Sequence, residues 1–225
     1  MLFDPVKGII TGWFDATQKV GQLSDFLRRD PCDGFNSLSG ESGCAFPQTL
    51  KHRSRFNPLA VSKGKEVWMT EHLDTDTSWS AVMGTAREIH DCMNAGMSAY
   101  VWWYIVRFYG PILEDGNVSK RGYVMSQYAR FVRPGHVRVD ATGNPQPDVY
   151  VTAYKNGSKM AIVAINANSS SIDQTFAIRN GTVSSFMPFV TSSTKNCIQG
   201  NTIPALKGGF TAPLEPSSVT TFVSN

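Results

Sequence analysis

The sequence predicts an α/β region followed by an all-β region, on three observations. Residues 65–131 alternate short apolar runs with helix-period stretches. The alternation stops at Arg133-Pro134-Gly135. Beyond it, short β-rich runs are separated by Gly, Asn and Pro turns, the pattern of an antiparallel β-sandwich.

The elements follow in order. Residues 67–70 form a short apolar strand that leads into Glu71. A carboxylate at the tip of an apolar strand is costly to bury alone, so it belongs in a solvated cleft or against a partner. Residues 72–77 read as polar loop. Trp79, Val82, Met83, Ala86, Ile89 and Met93 recur at three- and four-residue steps and predict an amphipathic helix. Ser78 suits its N-cap and Gly96 its C′ position. The run SAYVWWYIV at 98–106 is continuously apolar and of strand length, as suits a parallel strand covered on both faces. Within it Trp102 and Trp103 should face opposite sides. A loop with Gly110, Pro111 and Gly116 leads to a second helix over about 119–131, with Val124, Tyr128 and Phe131 on one face. This rhythm is that of a parallel sheet or barrel, in which chemistry sits at the carboxyl ends of the strands.

In the second region strands are predicted at 136–140, 149–154, 160–165, 172–178, 183–190 and 218–223. Turns are expected at Gly143-Asn144-Pro145, Asn156-Gly157, Asn180-Gly181 and Gly208-Gly209, and the two Asn-Gly pairs predict hairpins. Tyr150 and Tyr154 alternate with Val149, Val151 and Ala153. The tyrosines are expected to be exposed, on a surface that could bind sugar, although such alternation more often means a sheet packed on one side. Residues 1–56 lack the alternation. A helical period runs through Phe14, Val20, Leu23 and Leu27, and CDGFNSLSGESGC at 32–44 reads as loop. Low order is the expectation for this unassigned segment.

Composition narrows the function. A chain of 225 residues, 41% hydrophobic and 11% aromatic, can bury a core in one or two domains. The net charge of +3 is a mild basic excess. Lys51, Arg53 and Arg55 form a tight basic cluster, but no aromatic platform or binding motif accompanies it, so no nucleic-acid partner is expected. No apolar run is long enough to span a membrane, so no membrane partner is expected either. Cysteines stand at 32, 44, 92 and 197, without a CxxC pair or zinc spacing. No metal and no cofactor is expected. Cys32 and Cys44 could pair across a polar loop or remain free thiols. The stretch MLFDPVKGIITGWFDATQ carries Asp4 and Pro5 early and has no signal-peptide core.

Three stretches, KEVWMTEH, SAYVWWYIVRFYGPI and EDGNVSKRGYVMSQYARFVRPGHVRVDAT, together resemble the C-terminal half of a glycoside hydrolase family 30 enzyme, in its bacterial glucuronoxylanase branch. The tail from VYVTAYKNGSKMAIVAIN to SSVTTFV is similar to that family's β side domain. The resemblance covers roughly residues 57–225. It implies the last two units of an incomplete (β/α)8 barrel at 57–133 and a C-terminal antiparallel β-sandwich side domain at 134–225.

The resemblance also implies residue roles. Glu71 maps onto the nucleophile of a retaining glycosidase, which needs a second carboxyl group roughly 5 to 5.5 Å away as acid/base. Trp103 maps onto an indole lining the innermost sugar site. Arg107 and Tyr109 map onto the pair that recognises glucuronic acid, a task suited to the guanidinium fork. The chain departs from the branch at Val106, usually a second Arg, and at Phe108, usually a small polar residue. His72 reads either as a residue that shapes the surroundings of Glu71 or as a partly exposed loop histidine. The implied partner is the polysaccharide glucuronoxylan and the implied location extracellular.

A whole barrel takes roughly 250 residues. The sequence has no Asn-Glu pair for the family's acid/base signature; its other glutamates are Glu41, Glu66, Glu88, Glu114 and Glu215. A truncated enzyme of doubtful activity, its acid/base partner absent, is therefore expected. The alternatives are a non-catalytic remnant that binds carbohydrate weakly, and a chain that does not fold alone because two parallel strands leave open edges.

Overall fold

The structure, a computed structural model, describes residues 62–63, 65–179 and 181–225. The helical period at 14–27, the loop with Cys32 and Cys44, the basic cluster and the N-terminal stretch lie outside the described residues. The first part is β1 (Trp68–His72), α1 (Trp79–Asn94), β2 (Ala99–Trp102) and α2 (Lys120–Ala129). β1 and β2 pair in parallel, as the strand–helix rhythm requires.

Local chemistry sets the helix ends. Ser78 Oγ accepts from the Ala81 amide at 3.3 Å to cap α1. Gly96, at φ +79°, closes its other end, its amide donating to Met93 O. Ser119 Oγ accepts from the Gly122 amide at 3.1 Å to cap α2.

The second helix ends at Ala129, before Phe131, and two strand boundaries also differ from the expectation. β1 runs on through Glu71 and His72, which had been read as strand end and loop. β2 stops at Trp102, well before Val106. After Trp103 the chain folds back on itself: the Ile112 amide donates to Ile105 O at 3.0 Å and the Arg107 amide to Ile112 O at 3.1 Å. Val106 and Phe108 then point to solvent. An unbroken apolar run gives no warning of such a reversal.

The second part holds β3 (Val137–Val139), β4 (Val149–Asn156), β5 (Lys159–Asn166), β6 (Ile172–Ala177), β7 (Ser185–Thr191), β8 (Ile198–Gln199), β9 (Ile203–Pro204), β10 (Gly209–Leu214) and β11 (Ser218–Ser224). The larger sheet has the order β3-β4-β5-β11-β7-β8, with β9 also on β7; the smaller sheet pairs β10 with β6. All these pairings are antiparallel.

The centre of the larger sheet is covered on both faces. Tyr154, Val163, Ile165 and Val219 join Val82, Ala86, Val124 and Tyr128 of the helices in one core. Ile162, Ala164 and Phe222 join Phe176, Phe210 and Leu214 of the smaller sheet in another. This overturns the one-sided sheet with exposed tyrosines. Tyr154 is buried and Tyr150 half-buried, both against the helices. The period-2 pattern gave the faces correctly, but not what covered them.

The Asn156-Gly157 hairpin forms, with Asn156 opposite Lys159 and Gly157 at φ +58°. No hairpin joins β6 to β7, and Asn180 of the expected Asn180-Gly181 turn lies outside the described residues. β6 pairs with β10 and β7 with β11, so the link between β6 and β7 crosses from one sheet to the other. β8, β9 and β10 were not foreseen. β10 was hidden because Gly208-Gly209 reads as a turn, whereas Gly209 is already its first residue.

Candidate active site at the carboxyl ends of two parallel strands

The site begins with a register irregularity. Met69 pairs with Tyr100 and His72 with Trp102, three steps along β1 against two along β2. β1 thus holds one extra residue, a bulge. Met69 faces α1, buried among Cys92 and Met97. His72 faces α1 too: its Nε2 lies 3.0 Å from Glu88 Oε2, and its ring sits 5.2 Å from that of Trp102. Without the bulge, alternation would put Glu71 on the Met69 face. With it, Thr70 and Glu71 are both exposed. His72 is therefore a strand residue that ties the tip of β1 to α1, not a loop histidine. The Tyr100 hydroxyl donates to the same Glu88 oxygen at 3.0 Å.

β2 delivers the indoles. The Trp103 amide donates to His72 O at 2.8 Å, which sets Trp103 beside the tip that carries Glu71. Trp102 is fully buried, stacked under the Arg121 guanidinium with 4.5 Å from Cζ to the ring. Trp103 is 41% exposed, so the two indoles do take opposite faces. The Trp103–Tyr104 peptide is cis.

Arg107 and Tyr109 lie in the loop that follows. The exposed Arg107 guanidinium sits 5.2 Å from the Tyr104 ring, and its Nη1 is 3.7 Å from Glu114 Oε1. A pair this open to solvent is weak, so the fork remains available to another carboxylate. Tyr109 is half-buried, edge-on to Phe108 at 5.0 Å and packed against the helix core. Glu71 and Trp103 are thus brought to adjoining strand tips, Arg107 stands in the loop beyond them, and Tyr109 is drawn inward.

Sequence reasoning missed the supports of these groups. Arg121, on α2, is 1% exposed and donates into both loops at this end of the strands. Its burial pushes its pKa down and the Asp74 carboxylate pushes it up. In the loop after β1 the Ser78 amide and hydroxyl hold the Asp76 carboxyl below its usual value. No sequence signal marks a buried Arg in a polar KRGY stretch. Among the described residues, no group of three or more His, Cys, Asp or Glu side chains is placed to hold a metal ion.

An exposed carboxylate, an exposed indole and a guanidinium fork thus stand near the ends of two parallel strands, beside an antiparallel β unit, on an α/β plus β fold. No protein-family profile matches the chain. It is 46% identical over 224 residues to glucuronoxylanase XynC of Bacillus subtilis strain 168, covering 94% of this chain and 51% of that protein. Among solved structures, a GH30 endoxylanase from Clostridium papyrosolvens matches with TM-score 0.75 at 40% identity, over 80% of this chain and 47% of that one. The GH30 subfamily 8 xylanase Xyn30A from Clostridium acetobutylicum matches with TM-score 0.72 at 42% identity, over 75% and 44%. The chain is thus similar to the C-terminal part of glycoside hydrolase family 30 glucuronoxylanases. It spans about half the length of the curated relatives it matches, 41% of one and 51% of the other. The 94% coverage also carries the likeness into the residues before 57, which the motifs alone had left unmatched.

Proposed function

We propose that this chain supplies the nucleophile side of a retaining glycoside hydrolase site for glucuronic-acid-substituted xylan. Glu71 attacks the anomeric carbon. Trp103 covers the apolar face of the sugar held there. Arg107, with Tyr109 beside it, receives the uronate of the side group. β1-α1-β2-α2 is the closing part of a β/α barrel, and the two β sheets are its side domain. The relatives named glucuronoxylanase support the substrate class. The observation that carries the reading is the Trp103 amide bonded to His72 O, with the bulge that leaves Glu71 exposed at the same tip.

The mechanism also needs a proton donor for the leaving oxygen. The sequence has no Asn-Glu pair to supply it in the family's signature context. General acid help contributes typically about 10²- to 10⁴-fold, so the chain by itself acts slowly on natural xylan. Export to plant cell-wall material follows from the same substrate. A second reading rests on that missing carboxyl group: a non-catalytic unit that retains weak xylan binding.

An activated 2-fluoro-xyloside with a dinitrophenolate leaving group separates the two, because its departure needs no acid. Mass spectrometry should find a covalent sugar on Glu71, and none on Glu71→Gln. Folded protein that stays unlabelled would leave the binding-only reading. Binding of glucuronoxylan and of undecorated xylan then tests the substrate: Arg107→Ala should erase the preference for the decorated polymer.

A further inference from the structure

The Arg121 side chain is buried and does not reach the open face of β1 and β2, yet its contacts span the whole site. Nε donates to Thr85 Oγ1 of α1 at 3.1 Å. Nη1 donates to Asp74 O at 3.1 Å and to Tyr109 O at 2.8 Å. Nη2 donates to Asp76 O at 2.7 Å and lies 3.8 Å from Asp74 Oδ2. The plane rests on the Trp102 indole. Asp74 and Asp76 lie in the loop after β1, three and five residues beyond Glu71. Tyr109 lies in the loop after β2, two residues beyond Arg107.

We propose that Arg121 is a positioning residue that locks the nucleophile loop and the uronate-binding loop into one rigid body. The inference rests on the proposed function for what the loops do, and on geometry alone for their coupling. A guanidinium presents five N–H groups in a fixed fork, so one plane satisfies four acceptors on two loops and a helix. A lysine ammonium presents three donors from one point and cannot span them. Because the guanidinium itself is buried, loosening one loop leaves it with an unsatisfied donor, and that cost makes the loops move together. The Arg107 side chain meets an exposed carboxylate and a neighbouring ring, and its backbone bonds, to Ile112 and Gly110, stay within its own loop. Its placement relative to Glu71 therefore depends on the Tyr109 carbonyl contact.

The test compares the full chain with Arg121→Lys and, as a control, Arg87→Lys. Arg87 pairs with Asp91 on α1 and touches neither loop. Hydrogen exchange is followed in peptides covering 73–78 and 104–112. In Arg121→Lys, exchange should rise together in both loops by about tenfold, the scale of one lost charge-assisted hydrogen bond, while β4 and β5 stay protected. The ratio of affinities for a glucuronic-acid-branched xylo-oligosaccharide over the unbranched one should fall by a similar factor; a purely structural role would lower the melting temperature and leave that ratio alone. A folded Arg121→Lys protein with unchanged loops, with one loop loosened and not the other, or with an unchanged ratio overturns the inference. Should this variant fail to fold, guanidinium NMR of the wild type decides instead: slow exchange and hindered rotation at Arg121 support the lock, and bulk-rate exchange refutes it. A wild type that binds neither sugar defeats the proposed function, and loop exchange alone then judges the coupling.

Discussion

Met69 and His72 stand three residues apart on β1, yet both face α1, and Glu71 between them is exposed. The cause is the one-residue bulge between Met69 and His72, which shifts the alternation just before the strand ends. The motif made Glu71 legible, while the bulge and the Glu88 contact of His72 were not, since both depend on β2 and α1. His90 is another residue whose character comes from its surroundings. It is buried between α1 and β4, 5.5 Å from the Tyr150 ring, with Nε2 2.8 Å from Asn94 Nδ2. Burial pushes its pKa from 6.5 down to about 4; Asp91 acts upward and Arg87 downward. Between those two values the unfolded chain binds a proton that the folded chain does not. Stability therefore rises with pH across the window and is lost as pH falls through it. Thermal unfolding just above 6.5 and near 4 should show a smaller drop for His90→Leu than for the wild type.

At the scale of elements, the helices were the most legible parts. Their apolar stripes, the Ser78 cap and the Gly96 terminus are all local signals, and a helix satisfies its own backbone. β2 was less so, because the same apolar letters serve a buried strand to Trp102 and an exposed turn after it. The start of α2 shows why that turn is tight. A Cβ on Gly122 would come 2.2 Å from Pro111 O and 2.8 Å from Val118 Cγ1. The first contact is with backbone and cannot swing aside. Gly122→Ala should therefore push α2 away from the loop and destabilise the protein by about 1–3 kcal/mol, as overpacking does. Denaturant unfolding measures this, and an unchanged midpoint would contradict the close approach.

At the scale of the molecule, the larger sheet is the shared wall of two cores. Ile165 faces the helices and Ile162 the smaller sheet, from the same strand. Helices and β unit should therefore unfold together. Ile165→Ala and Ile162→Ala should each shift one common transition, by about 2–5 kcal/mol for a buried aliphatic truncation. Two separated transitions by calorimetry would show that the cores are independent.

By itself the sequence determined both helices and most of the strands in their order, the change to β structure after Arg133, and the resemblance whose motifs single out Glu71, Trp103 and Arg107 as candidates. These rest on local periodicity, capping and contiguous motifs. Only the tertiary structure decided that Tyr150 and Tyr154 are covered, that β6 pairs with β10 across a sheet change, and that Arg121 joins two loops. Each of these brings together residues far apart in the chain, and such a pairing is fixed by the packing of whole elements, not by its neighbours in sequence.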